Sequence, residues 1–170
     1  MLVLADNDGP GRELAPQKQL HGGGEWLEQE NGPCWCLLAP TDEFRAAMER
    51  FKIPPAFWPL TIENAFPAAL RREAKAAGAY WFSGDPQPEL LREPAIAKRT
   101  FQVFKEITED DDAYLYIMAP YSEAKDAYAA WVTDPARLTA ANFVAFEIVL
   151  TGLKNLLARR GQPPDQRRTA

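Results

Sequence analysis

One stretch of this 170-residue chain recurs further along it, and that echo narrows the possible architectures more than any other feature. Leu37-Leu38-Ala39-Pro40-Thr41-Asp42-Glu43 returns as Ile117-Met118-Ala119-Pro120-Tyr121-Ser122-Glu123. Downstream, Arg45 matches Lys125, Ala47 matches Ala127, Phe51 matches Trp131, and Pro55-Ala56 matches Pro135-Ala136. After a shift of two residues, Leu60-Thr61-x-x-Asn64 answers Leu138-Thr139-x-x-Asn142. Nine of about 28 aligned positions are identical, where random pairing of ordinary compositions would give roughly two or three. A duplicated unit is the expectation, with copies over about 25–78 and 100–160.

Each copy reads as two strands followed by helices. Residues 25–29 and 34–38 flank Asn31-Gly32, the signature of a tight hairpin turn. In the second copy, 100–107 alternates in part, and Tyr114-Leu115-Tyr116-Ile117-Met118 has the aromatic and β-branched composition of a strand. Helix starts follow the Ala-Pro pairs, with Thr41 or Asp42 and then Ser122 as N-caps; Thr61 and Thr139 can cap the next pair. Pro67 and Gly78 frame a helix around Leu70. A short strand is expected at 79–82 and a Pro-punctuated helical stretch from Asp85 to about Arg99.

The final helix, 139–160, carries Phe143, Phe146, Leu150, Leu153 and Leu157 as one stripe, widened by Val144, Ile148, Val149 and Leu156. Its polar strip is narrow: Glu147, Thr151, Lys154 and Asn155. So broad an apolar face is either central to a core or half of an interface. The core is the expectation, with Phe146 inside it. The first 24 residues, rich in Gly, Pro and polar residues, are expected to be weakly structured, and 161–170 a polar tail.

The composition, 46% hydrophobic and 25% charged, is that of a globular domain rather than a disordered chain. No uninterrupted apolar run approaches the ~20 residues of a membrane helix, and the N-terminus lacks a secretory signal, so no membrane partner is expected. The net charge of −5 argues against a dedicated nucleic-acid binder. Local basic clusters remain at Arg71, Arg72 and Lys75, at Lys98 and Arg99, and at Arg159 and Arg160, the last suited to a helix C-terminus. Glu109-Asp110-Asp111-Asp112 lacks the alternation, Gly and terminal Glu of a calcium loop and reads as a solvated turn.

Catalytic chemistry finds little support. His21-Gly22-Gly23-Gly24 shares its letters with the oxyanion motif of lipases and esterases, but no Gly-x-Ser-x-Gly elbow accompanies it. His21, the single histidine, is therefore expected to be dispensable. Cys34 and Cys36 lack the paired spacing of a zinc site or of a redox Cys-x-x-Cys. On a strand they would share one buried face, reduced, which suits a cytoplasmic location. Gly9-Pro10-Gly11 lacks the ending of a phosphate loop. Trp26, Trp58, Trp81 and Tyr121 fall near turns and are the candidate partner anchors.

These readings predict a cytoplasmic α+β protein of two related strand–strand–helix–helix units with a long apolar C-terminal helix, a mostly α-helical chain being the alternative. It would act without a cofactor, metal or catalytic set, as a non-enzymatic macromolecular interaction protein: an adaptor, assembly subunit, chaperone or immunity-type inhibitor. The expected partner is another protein, with homo-oligomerisation through the last helix as a further option. One alternative is a small enzyme or small-molecule binder with its pocket between the two units. Another is a nucleic-acid-binding subunit using Arg71, Arg72, Lys75, Lys98 and Arg99.

Overall fold

The structure, a computed structural model, describes residues 2–7, 13, 23–24, 26–28 and 33–160, with only the main chain at 28, 159 and 160. His21, the Asn31-Gly32 turn, the side chains of Arg159 and Arg160, and the 161–170 tail lie outside the described residues. Among the described residues helix accounts for 58% and strand for 14%, so the class is mixed α+β with helices dominant and the sheets small.

Three short strands form the first sheet, in the order β1–β3–β2. β1 (Leu2–Ala5) runs parallel to β3 (Cys34–Leu37), and β2 (Leu27–Glu28) runs antiparallel to it, Leu27 opposite Trp35. The antiparallel pair matches the expected hairpin strands. β1 corrects the expectation for the N-terminus, because residues 2–5 are built into the sheet. Asn7 continues that attachment: it bridges to Leu60, and its buried Nδ2 donates to Leu38 O at 3.0 Å. Parallel pairing with a distant strand leaves no local turn signal, which is why composition alone misread this segment.

From β3 the chain passes Ala39-Pro40 into α1 (Asp42–Arg50), where Thr41 Oγ1 caps by accepting from Phe44 N. Two 3₁₀ turns, Pro55–Phe57 and Glu63–Ala65, lead to α2 (Ala68–Ala76). Ala68 N at the start of α2 donates to Glu43 Oε1, so a side chain from α1 serves as its cap. Gly78 follows the helix at φ 71°, the left-handed position that ends it. β4 (Phe82–Pro86) pairs antiparallel with β5 (Met118–Pro120), and α3 (Pro94–Phe104) and α4 (Asp112–Ile117) lie between them. After β5 come α5 (Ser122–Val132), the 3₁₀ turns Pro135–Arg137 and Ala140–Phe143, and α6 (Val144–Arg160).

The second expected strand pair is corrected. Residues 100–104 end helix α3 and 105–107 form the turn after it, and 114–117 belong to α4, so strand begins only at Met118. The capping is one reason: Asp111 Oδ1 accepts from Ala113 N and starts a helix where aromatic composition suggested a strand. The other is burial of consecutive residues, Leu115, Tyr116 and Ile117 all packing inward, which an enclosed helix turn satisfies as well as a strand covered on both faces. Ser122 is not a cap either, being the first residue of α5 with Tyr121 before it.

Downstream of the two Ala-Pro pairs, however, the element order is the same: helix, 3₁₀ turn on Pro-Ala, Leu-Thr, a second 3₁₀ turn, helix. The hydrogen bonds match as well. Thr61 N donates to Pro59 O and Thr139 N to Arg137 O; Asn64 N donates to Thr61 O and Asn142 N to Thr139 O. Asn64 Nδ2 donates to Pro59 O at 2.6 Å, and Asn142 Nδ2 donates to Arg137 O at 2.8 Å.

The main core surrounds Phe44 and Met48 of α1, with Trp58, Leu60, Leu115, Tyr116 and Ile117. Phe44 meets Trp58 and Tyr116 edge-on at 5.8 and 5.3 Å. A second cluster joins Phe66, Leu70 and Tyr80 to Tyr128 and Val132. A third holds α6 to the sheet: Cys34 and Cys36 share the buried face of β3 and pack with Trp26, Val149 and Leu156. Burial pushes the Cys36 thiol up to about 11, so it stays a protonated, apolar filler at neutral pH.

Trp26 docks on α6 through Gly152. Its Nε1 donates to Val149 O at 2.8 Å, and a Cβ on Gly152 would fall 2.8 Å from Gly24 O and 3.0 Å from Trp26 Cδ1. Alanine in a helix interior normally gains up to ~1 kcal/mol over glycine. Here a backbone oxygen stands in the way, so Gly152→Ala should instead lower stability by about 1–2 kcal/mol, overpacking being the larger effect. A denaturant midpoint at or above that of the parent protein would show that the docking is loose.

Candidate interaction surfaces

Three regions carry the chemistry of this molecule. The first is buried. Arg71 on α2 has no solvent exposure, and its Nη1 donates to Asn64 Oδ1 at 3.0 Å and to Leu115 O at 2.6 Å. Its guanidinium lies over the Tyr116 ring, 4.0 Å from the centroid. Among the described residues, Arg71 Nε and Nη2, Glu63 Oε2 and the hydroxyls of Tyr80, Tyr116 and Tyr128 find no hydrogen-bond partner in good geometry. Burial raises all three phenols above the ordinary tyrosine value; the nearby Arg71 charge pulls each of them down by a smaller amount. A buried, paired guanidinium of this kind holds elements together: α2, the turn at Asn64 and the end of α4.

Two further residues of the expected basic patch, Arg72 and Lys75, are neutralised by the acidic run 109–112. Arg72 Nε donates to Asp112 Oδ1 at 2.8 Å and Nη2 to Asp110 O, while Lys75 pairs with Glu109. Arg50 pairs with Asp111 at 2.7 Å. The acidic run 109–112 is therefore a clasp across α1 and α2 rather than only a solvated turn. Lys98 and Arg99 are exposed on α3, Arg99 donating to Lys52 O. Arg71, Arg72, Lys75, Lys98 and Arg99 thus do not form one basic surface, since the first is interior and the next two are ion-paired.

The expected aromatic anchors divide into two pairs. Trp26 and Trp58 are buried and spend their indole N–H groups on Val149 O and Ile53 O, both at 2.8 Å. They are core residues, a correction to their reading as partner anchors. A turn in sequence placed them near the surface only in prospect; packing against α6 and α1 took them inside. Trp81 and Tyr121 are exposed, and the β4–β5 pairing makes them neighbours, Tyr121 N donating to Trp81 O at 3.3 Å. Tyr121 also borders a cleft of about 600 Å³ with Ser83, Asp85, Arg92 and Pro120.

The third region is the outer side of α6. Its inner face, Ala145, Val149 and Leu156, is buried, yet Leu150 and Leu157 are 62% and 55% exposed. Val144 and Ile148 are exposed on the opposite flank. Phe146, expected in the core, is half-buried against Phe66 and Phe143 at 5.4 and 5.8 Å. The apolar arc of this helix exceeds what the domain covers, and its spacing had shown the excess width without showing which side stays bare. By length and mean hydropathy, 1.3 over residues 140–158, the stretch would also suffice to cross a bilayer, and only 17% of it is buried. The reading from uninterrupted runs passed over it because Glu147 and Lys154 break the run without lowering the average far.

No family model, curated protein or solved structure matches this chain.

Proposed function

We propose that this is a non-enzymatic macromolecular interaction protein of a reducing, cytoplasmic setting, an adaptor, assembly subunit, chaperone or immunity-type inhibitor, whose binding surface is the outer face of α6. The observation that carries the reading is the exposure of Leu150 and Leu157 on a helix already anchored by its opposite side. Each leucine, partly covered already, would gain roughly 1–2 kcal/mol from full burial, and large apolar side chains left exposed together on one helix suit an interaction site. A protein partner fits better than a bilayer, because one side of α6 is committed to Trp26 and the sheet and the other bears Glu147, Thr151, Lys154 and Asn155.

The duplication belongs to the same proposal, limited to the segments after the two Ala-Pro pairs. The matched order of elements and the matched Asn–carbonyl bonds support it. In the first half Leu60 is buried and bridged by Asn7; its counterpart Leu138 is 55% exposed, next to the α6 surface. The second half would then have kept the framework and given up the cover.

A second reading, a small-molecule site between the halves, has one feature in its favour. A cleft of about 270 Å³ lies between Pro40, Thr41, Asp42 and Glu43 of the first half and Val144 and Ile148 of the second. Its Glu43 carboxylate is already engaged with Ala68 N.

The test is a photo-crosslinking side chain placed at Leu150, with Glu106 in the turn after α3 as the control position, irradiated in native extract. Crosslinks to defined proteins from position 150 alone, lost on Leu157→Asp, are expected. Equal labelling from both positions, or none from 150, would remove α6 as the binding surface.

A further inference from the structure

α6 and the turn before it carry a regularity that bears on what covers the exposed side. Apolar residues stand at 143, 146, 150, 153 and 157, the alternating three-and-four spacing by which helices pair along a seam. Phe146 and Leu153 half-bury against the domain, while Leu150 and Leu157 project from it. Beside this seam, also seven residues apart, are the exposed Glu147 and Lys154. They border a shallow groove of about 350 Å³ with Ala140, Phe143, Leu150 and Thr151.

The acid and the base are equidistant from the point between Leu150 and Thr151. A two-fold axis beside the helix, level with that point and perpendicular to the helix, sets Glu147 of each copy opposite Lys154 of the other. The surface is therefore complementary to itself in one orientation. A parallel pairing in register would set like charges side by side instead. An antiparallel pair also opposes the two helix dipoles.

We propose that α6 pairs antiparallel with α6 of a second copy of this chain, across a two-fold axis near Leu150–Thr151, covering Leu150 and Leu157 and forming two reciprocal Glu147–Lys154 ion pairs. This rests on the reading that the outer face of α6 is the binding surface, and it identifies the partner. Symmetric two-fold interfaces use the same patch on both copies, as this one does. The seam from 143 to 157 is roughly 21 Å long, so the contact is small and the dimer belongs to the weak, reversible class.

The test is sedimentation equilibrium of the full chain at low salt over a wide concentration range, with circular dichroism melts to establish that each variant folds. The parent protein should show a monomer–dimer equilibrium. Glu147→Lys alone, or Lys154→Glu alone, should weaken dimerisation at least tenfold by opposing like charges. Mixing those two variants should restore the dimer as a heterodimer, and the double exchange E147K/K154E should restore it within one chain. A chain that stays monomeric at every concentration overturns the proposal, as does a dimer indifferent to either single reversal. A monomer that crosslinks from position 150 to a different protein overturns self-pairing and leaves the interaction reading standing. A monomer whose Leu150 partitions into vesicles of neutral or anionic lipid overturns both in favour of a membrane surface.

Discussion

Arg71→Ala is expected to cost about 3–5 kcal/mol of stability, the scale of truncating a large, fully buried side chain to alanine. The side chain is wholly interior and touches three parts of the chain: Asn64 Oδ1, Leu115 O and the face of Tyr116. Alanine leaves a cavity, orphans two buried acceptors at about 1–3 kcal/mol each, and removes a cation–π contact of up to ~2 kcal/mol. Set against this is the relief of desolvating a guanidinium, itself several kcal/mol, which keeps the net figure within that range. Arg71→Met fills the volume and also sheds the buried charge, so it should lose no more than about half as much. Arg71→Lys should not rescue, since an ammonium cannot stack flat on Tyr116 while reaching both acceptors. Urea unfolding of the three variants measures all of this. A loss below ~1 kcal/mol for Arg71→Ala would mean that the contacts are not worth their desolvation.

A comparable effect is expected from alkali. Burial holds the Tyr80, Tyr116 and Tyr128 phenols above the ordinary value of 10, with Glu63 adding to the rise at Tyr80 and Tyr128 and Glu43 at Tyr116. In the unfolded chain they ionise near pH 10, whereas the folded chain keeps their protons. The folded state therefore binds more protons once the pH exceeds 10, and stability falls as pH rises from there. Below pH 10 both states hold these protons and the three groups contribute no slope. At about 1.4 kcal/mol per pH unit for each proton, Tyr116 and Tyr128 give a decline approaching 3 kcal/mol per unit, with Tyr80 adding a smaller part just above pH 10. A domain with ~5–15 kcal/mol in hand is then unfolded within a few units at most. Phenolate absorbance from these residues should rise together with the loss of helical circular dichroism, and Tyr128→Phe should reduce the slope by roughly half. Ionisation of all three with the helices intact would refute the burial argument.

Local patterns proved a sound guide where the physics is local. Thr41 as a cap, Gly78 as a helix stop and the shared face of Cys34 and Cys36 each depend on residues within a turn or a strand, and the structure places them as the spacing implies. The order of elements after each Ala-Pro pair was legible for the same reason. The strands expected at 100–107 and 114–118 were not, because an aromatic, half-buried run satisfies a helix turn equally well, and Asp111 supplied the cap.

What a charge or an aromatic does was decided only in three dimensions. Arg71, Arg72 and Lys75 are neighbours on one helix, yet burial took the first inside and the 109–112 carboxylates claimed the others, across a sequence gap that no local pattern spans. Trp26 and Trp58 look like Trp81 until packing hides two and leaves the third exposed. The tyrosines around Arg71 come from β4's approach, α4 and α5, with nothing in their spacing to associate them. That α6 has more apolar surface than one contact needs follows from its residue order alone, because helical periodicity is a property of the chain. That Val149 and Leu156 face the sheet while Leu150 and Leu157 do not follows from packing, because it depends on where Trp26 finds the gap left by Gly152.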